Sequence, residues 1–433
     1  MSPMKGEEIT LSQRELQRYR AMSLVEAGRV TLKEAAEKIG RSYRQAKRVW
    51  RRFQEKGAKG LIHGNTGKPS NHRTAEGIRG KVLALSREVY EEFNDTHFTE
   101  KLEEREGIGL SRETVRRIRR EAGIAAKRRR RPPRHRKRRE RRAQGGWMVL
   151  WDGSPHGWLG PDYPPCCLLV AMDDATGKVL AARFFAFEGS AGYLWLLRQV
   201  VERYGIPVSI YQDRHGALHR NDDHWSLEEQ LAGRQDSTQV GQALEALGVQ
   251  SIFALSPQAK GRIERLFGTL QDRLGAELRQ AGMRTLEAAN SFLPAFLRAL
   301  NRRYSVSPRQ AQKAWRKVPQ GLDLNRVLSL RYSTTVGNDN AVRLGEIIID
   351  IPVGPRGRSY AKAKIEVRQL LDGSWRVYFQ NHLIARHPST TLQEPIRALV
   401  RRKPKPKGTN SYPWVYLSSA PQIASADRES FAL

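Results

Sequence analysis

Apolar residues along the chain show three spacings: helical steps of three and four near the start, short unbroken runs in the middle, and alternation towards the end. Residues 31–39, TLKEAAEKI, place Leu32, Ala35, Ala36 and Ile39 on one helical face, and Thr31 followed by Glu34 forms a capping box that marks the helix start. After GRS, the segment YRQAKRVWRRFQEKG carries a second helical stripe of Ala46, Val49, Trp50 and Phe53. Arg41, Arg44, Gln45, Lys47 and Arg48 lie off that stripe. Helix, tight turn and basic helix together make the helix-turn-helix layout, whose second helix enters the DNA major groove. A helical bundle with a solvated basic face would give one such match. A second copy favours DNA: THFTEKLEEREGIGLSRETVRRIRREAGI repeats an acidic helix, a Gly-containing turn and an Arg-rich helix. There Val115 and Ile118 are apolar, and Arg112, Arg116, Arg117, Arg119 and Arg120 are available to DNA.

From Trp147 the pattern changes to short apolar runs, WMVLWDGS and CCLLVAMDDATGKVLAARFFAF, followed by the helical segment GSAGYLWLLRQVVERYG. PVSIYQD, a polar insertion, a helix through TQVGQALEALG and the strand VQSIFAL come next. Three strands joined by hairpins, then helix, strand, helix, strand and a final helix, predict a mixed sheet covered by helices. AVRLGEIIIDIP, AKIEVRQLLDG and SWRVYFQNHLIARH return to strands and read as a small β-barrel or sandwich. The expected organisation is a multidomain chain with all-α helix-turn-helix units over 1–70 and 71–126 and a basic linker over 127–145. An α/β core over 146–310, with an insertion at 217–236, leads through a connector (311–335) to a small β-barrel (336–390) and a basic tail (391–433).

Composition adds a partner. With 433 residues, 39% hydrophobic, the chain can bury real cores, yet its net charge is +31 and its pI near 10.6. The two ends are strongly basic and the middle is nearly neutral. Residues 127–142, KRRRRPPRHRKRRERR, hold twelve Lys or Arg in sixteen positions, among them Arg128, Arg129, Arg130 and Arg131. Such a run cannot pack a core and suits a linker lying along phosphates, where each contact releases condensed counterions. No window approaches the roughly 18 uncharged apolar residues of a membrane span, and the first residues lack the apolar stretch of a secretory signal. A cytoplasmic, nucleoid-associated protein without a membrane partner is expected. The only cysteines, Cys166 and Cys167, are adjacent, which fits neither zinc nor disulfide spacing, and are expected as buried thiols.

Within the neutral middle, Asp152 closes the first strand and Asp213 the strand VSIYQD. If those strands are neighbours, both carboxylates emerge at adjacent C-terminal ends. Glu264 lies in a helix starting near Ser256-Pro257 or just beyond Gly261. Its face with Lys260, Gly268 and Gln271 is more open than the Ile263, Leu266, Leu270, Leu274 stripe. Converging carboxylates repel unless cations sit between them, and oxygen-only ligands select hard ions such as Mg²⁺ or Mn²⁺. Two such ions about 4 Å apart stabilise both oxygens of a phosphodiester displacement. Each acid has a plainer reading: Asp152 a turn residue, Asp213 a strand-end cap, Glu264 a surface ion pair with Arg262 or Lys260. Asp173 and Asp174 read as turn formers, and Asp222 and Asp223 fall in the insertion. His156, His215, His219 and His224 show no zinc-hydrolase spacing.

The strings WDGSPHGW, MDDATGK, YQDRHG and SPQAKGRIERLFGTLQDRL resemble the integrase core of DDE transposases, most closely the ISNCY insertion-sequence family. With the helix-turn-helix units the resemblance covers nearly the whole chain. It implies an RNase H-like core whose metal-binding acids map onto Asp152, Asp213 and Glu264, holding two Mg²⁺ or Mn²⁺ ions. It further implies cleavage at the element's end by water, followed by attack of the freed 3′-OH on target DNA. Double-stranded DNA is then the partner, engaged by at least a dimer, with Lys260 and Arg262 facing DNA near the site. Fifty residues separate Asp213 from Glu264, more than related cores have, and the insertion accounts for the excess.

Two other functions share these features: a non-catalytic DNA-binding regulator descended from a transposase, and a metal-dependent nuclease that only hydrolyses. Neutralising several arginines within 128–139 is expected to weaken DNA binding and flatten its dependence on salt, measured by titrating affinity against salt concentration. An unchanged salt slope would show that the run does not touch phosphates.

Overall fold

Reciprocal caps set the first helices of the chain. In a computed structural model, which describes residues 9–64, 66, 73–127, 139–220, 225–254 and 260–390, Thr31 accepts from the Glu34 amide at 3.3 Å and Glu34 from the Thr31 amide at 2.7 Å. The same box recurs at Ser12 with Glu15 and at Ser42 with Gln45. These caps start α1 (Gln13–Glu26), α2 (Leu32–Lys38) and α3 (Tyr43–Lys56). Gly40, at φ +61°, makes the left-handed turn between α2 and α3. Met22, Ala35, Val49, Phe53 and Leu61 form the small core. α1, which the sequence reading did not foresee, supplies the third wall of that core. Arg41, Arg44, Gln45, Lys47 and Arg48 are all exposed.

Two compact units divide the chain: one holds Thr99–Ala125 and the described residues up to Glu88, the other Val89–Phe98 and the described residues from Ala126 onward. The first also contains α4 (Glu76–Glu88), whose Arg79 pairs with Glu121 at 2.8 Å. The division falls inside α5 (Asp95–Glu106), and Ser111 caps α6 (Arg112–Glu121). On α6, Arg112, Arg116 and Arg117 are exposed and Arg120 is half-buried. Arg119 departs from expectation: it is buried beside Val115 and Ile118, because positions three and four apart share a helix face.

The second unit is built on a five-stranded sheet. β1 (Met148–His156), β2 (Cys166–Asp173) and β3 (Val179–Phe185) form an antiparallel meander. After α7 (Ser190–Tyr204), β4 (Ser209–Gln212) runs parallel to β1. Then α8 (Leu227–Ala232) and α9 (Gln239–Ala246) precede β5 (Gln250–Phe253), parallel to β4, and the strand order is β3-β2-β1-β4-β5. α10 (Gly261–Gln280) and α11 (Leu286–Tyr304) follow. Alternation along β1 separates the two faces. Val149 and Trp151 pack with α7 and α9 residues such as Leu197 and Leu244, whereas Met148 and Leu150 pack with Ile263, Phe267 and Leu270 of α10. β2, an unbroken apolar run, is buried at every position, Cys166 and Cys167 included. Among the described residues no helix is long and apolar enough to cross a membrane.

Beyond α12 (Leu324–Val327), the strands β6 (Leu330–Thr335), β7 (Ala341–Leu344), β8 (Ile347–Asp350), β9 (Lys364–Gln369), β10 (Trp375–Phe379) and β11 (His382–His387) do not make the expected small barrel. They form an open four-stranded sheet, β11-β10-β9-β6, and a separate β7-β8 hairpin. The physical reason lies in what covers the sheet. Leu330, Val367, Trp375 and Val377 belong to the same hydrophobic cluster as Val149 and Trp151, so the apolar face is buried without closing on itself. β6 also falls inside the expected connector, whose Arg316 bonds Ile206 through both backbone groups at 2.8 and 2.9 Å.

The β2-β3 turn holds more than a turn. Asp173 accepts from the Thr176 amide and hydroxyl, as a turn former does. Asp174, with no exposed side-chain surface, instead takes the Arg139 guanidinium at 2.5 Å, the Arg142 amide at 2.8 Å, and Arg262. It thereby ties the end of the basic linker to the start of α10. Asp174→Ala would leave Arg262 largely buried and without its carboxylate, and we expect a loss of about 3 kcal/mol in stability, measured by urea unfolding.

Candidate active site

Register brings the first two acids together. Met148, Val149 and Leu150 of β1 pair with Ser209, Ile210 and Tyr211 of β4. The same offset carried two residues further sets Asp152 level with Asp213, at the C-terminal end of the parallel pairing. Asp152 does not close β1, which runs on to His156 against β2; it closes only the part that β4 accompanies. By alternation both aspartates lie on the face covered by α10, while Trp151 and Gln212 meet on the other face through a 2.8 Å hydrogen bond.

Lys260, at the N-cap of α10, reaches between the two acids. Its Nζ lies 2.8 Å from Asp152 Oδ1 and 3.0 Å from Asp213 Oδ2, and its side chain is only 9% exposed. Burial pushes the Asp152 carboxyl up to about 6; the Lys260 ammonium pulls the other way, and Asp213 and Glu188 add to the rise. Burial also works against the ammonium, but the two aspartates outweigh it and hold Lys260 above its ordinary range. The centre is an ion pair with one cation shared by two acids. Asp213 also accepts from the His215 amide at 3.0 Å.

Glu264 stands one turn beyond Lys260 in the first turn of α10. The face it shares touches β1 at both ends, through Lys260 to Asp152 and through Gln271 to Ser154 at 3.2 Å. Glu264 is exposed and meets no cation among the described residues, so the expected alternative of a surface ion pair with Lys260 or Arg262 is not what the structure shows. Nor is it gathered with the aspartates: among the described residues no three His, Cys, Asp or Glu side chains form a ligand group. Lys260 and Arg262, expected at DNA, are occupied with Asp152, Asp213 and Asp174. Arg128, Arg129, Arg130, Arg131, His224, Asp222 and Asp223 lie outside the described residues, as do residues 256–259 at the start of SPQAKGRIER.

Sequence reasoning missed Glu188. It follows β3 and accepts from the Tyr193 hydroxyl at 2.6 Å, and burial together with Glu188 keeps that phenol protonated. A Cβ on Gly153, the residue after Asp152, would lie 2.3 Å from Glu188 Oε2. The available signal was an acid at a strand-to-helix junction of a sheet that already carried two acids at its strand ends.

Two carboxylates sharing one ammonium are a hard, oxygen-only donor set that already binds a cation, and this chemistry fits a divalent ion. The fold and site define an architecture: a helix-turn-helix region joined to a mixed five-stranded sheet with two acids at the end of its β1-β4 parallel pairing. Residues 17–70 match the helix-turn-helix domain family. The chain is 35% identical to the transposase y4bF of Sinorhizobium fredii strain NGR234 over 375 residues, 86% of this chain and 80% of that protein. It is 28% identical to the transposase for insertion sequence IS1202 of Streptococcus pneumoniae, over 92% of this chain and 93% of that one. The chain therefore belongs to the transposases. Solved structures with fainter likeness include a simian T-cell lymphotropic virus intasome bound to a PP2A regulatory subunit, at TM-score 0.31 and 14% identity over 71% of this chain and 99% of that one. Another is the HTLV-2 integrase catalytic core with magnesium, at TM-score 0.24 and 18% identity over 34% of this chain and 82% of that one. Likenesses this weak add nothing to the assignment.

Lys260→Met keeps the aliphatic stem but leaves two carboxylates facing each other. At pH 7 without divalent ions we expect a loss of about 2 kcal/mol, less than a fully buried pair would cost because Asp213 is 39% exposed. Urea unfolding of the two proteins measures it.

Proposed function

We propose that this transposase is of the DDE type, in the ISNCY insertion-sequence family, and that it cleaves the ends of its element and joins the freed 3′-OH ends to target DNA. The observation that carries the reading is the Lys260 ammonium held between the carboxylates of Asp152 and Asp213, two residues beyond the last β1-β4 pair. Glu264 joins them as the third acid. Its support is its place on the α10 face that borders β1, together with a carboxylate left without a charge partner among the described residues.

Asp152, Asp213 and Glu264 would hold two Mg²⁺ or Mn²⁺ ions, which when bound neutralise charge on the attacking and leaving oxygens. The chain's own residues fix where the phosphate lies. Asp152 is held on strand backbone, Asp213 directly after the end of β4 and Glu264 on helix backbone, a mounting suited to a displacement that depends on alignment. In cleavage a water oxygen bonds to phosphorus, the 3′ oxygen leaves, and it takes up a proton. In joining, the freed 3′-OH gives up its proton and its oxygen bonds to a target phosphorus, releasing a target 3′-OH. One phosphodiester replaces another, so joining needs no separate energy source.

Positioning falls to the basic ends. The exposed Arg41, Arg44, Gln45, Lys47 and Arg48 on and beside α3 would read the element's end, Arg112, Arg116, Arg117 and Arg120 on α6 a second part of it, and the run 127–142 would lie along phosphates. Work on two ends at once requires at least two copies of the chain.

Asp152→Ala, Asp213→Ala and Glu264→Ala are each expected to abolish cleavage of an end-bearing duplex in Mg²⁺, while DNA affinity stays within about tenfold, or about 1.4 kcal/mol. Gel separation of nicked from joined products makes the measurement. Cleavage surviving all three changes would end the assignment, and nicks without joining would mark a nuclease.

A further inference from the structure

Glu188 is a carboxylate with a charge to account for. Its side chain is 16% exposed, and among the described residues its one hydrogen-bond donor is the Tyr193 hydroxyl at 2.6 Å. His215 Nδ1 stands 3.6 Å from Glu188 Oε1 and 3.3 Å from the Ala217 amide that donates to it. Glu188 Oε2 rests against Gly153, where any side chain would strike it. The residue before Gly153 is Asp152, and the residue whose ring approaches Glu188 is also the one whose amide bonds Asp213. A third negative charge is thus set against both aspartates from the opposite face of β1, and Lys260 is the ammonium they have. A largely buried carboxylate set this close to two others is costly to keep unless it acts on something.

We infer that Glu188 is a positioning residue for the divalent cation of this site, acting through Asp152 and Asp213 by its charge without itself touching the ion. The inference rests on the reading that the two aspartates hold that ion. Charge placed behind ligands raises their pull on a cation, and Glu188 sits where it reaches Asp152 through one backbone residue. Tyr193 fixes the carboxylate's orientation, and Gly153 leaves it room.

The test is calorimetric titration of the full-length protein with Mn²⁺ alone, paired with cleavage as a function of Mg²⁺ concentration. Glu188→Gln keeps the volume and an acceptor for Tyr193 but removes the charge. It is expected to weaken Mn²⁺ binding about tenfold and to shift the Mg²⁺ requirement by a similar factor, with the maximal rate regained at saturating Mg²⁺. Tyr193→Phe keeps the charge and removes the hydrogen bond, so its effect should be clearly smaller. Wild-type Mn²⁺ affinity in Glu188→Gln, while Asp152→Asn loses it, would overturn this role and leave the site intact. Equal losses in Glu188→Gln and Tyr193→Phe would likewise overturn it, in favour of packing alone. Unchanged Mn²⁺ binding in Asp152→Asn would bring down the metal reading and this inference with it.

Discussion

Two carboxylates placed level on neighbouring parallel strands repel each other, and most of the second unit is arranged around that repulsion. The β1-β4 register prepares the encounter: Leu150 pairs with Tyr211, and Asp152 and Asp213 come two residues further along each chain. A cation then has to come from somewhere, and the start of α10 delivers the ammonium of Lys260. For that, α10 must cross the face carrying Met148, Leu150 and Tyr211, which its stripe of Ile263, Phe267, Leu270 and Leu274 ensures by burial. Hydrophobic packing of one helix thus fixes the electrostatics of the strand ends.

A second carboxylate hub works on the same helix by a different balance. Asp174 is buried completely, yet Arg139, Arg262 and the Arg142 amide all converge on it, so its charge is matched. Arg262 is two residues beyond Lys260, so the first turn of α10 is held at two points, one at the acid pair and one at the β2-β3 turn. The basic linker ends at that second point. Where the linker ends and where α10 begins are therefore tied by one side chain.

How much of this could be read in the sequence depends on how local each signal is. The α2 cap is written within four residues and was legible, as were the α3 apolar stripe, the strand runs and the adjacent buried cysteines. α1 was not, because its helix carries a weak apolar stripe and owes its place to contacts with Phe53 and Leu61. Asp152 and Asp213 could be proposed from strand ends, but the shared ammonium depends on α10 packing across the sheet. Arg119 was misjudged because its position beside Val115 and Ile118 outweighs its charge. The C-terminal strands were legible and their closure was not, since closure depends on what else can bury Trp375 and Val377. Glu188 was invisible for the same reason: its neighbours Gly153, Tyr193 and His215 are distant or unremarkable in sequence.

On the proposed function, the chain must draw in a polyanion and then bring one phosphate against acids. Long-range attraction comes from arginine-rich ends, where each phosphate contact releases counterions and strengthens binding without reading bases. At the acid pair the sign reverses, and a phosphate approaching Asp152, Asp213 and Glu188 meets repulsion that one ammonium cannot cancel. Binding strength and chemical competence are consequently separate properties of this sequence. What links them is the cation count at the strand ends, which decides whether a DNA already held by the arginines can place its phosphate there at all.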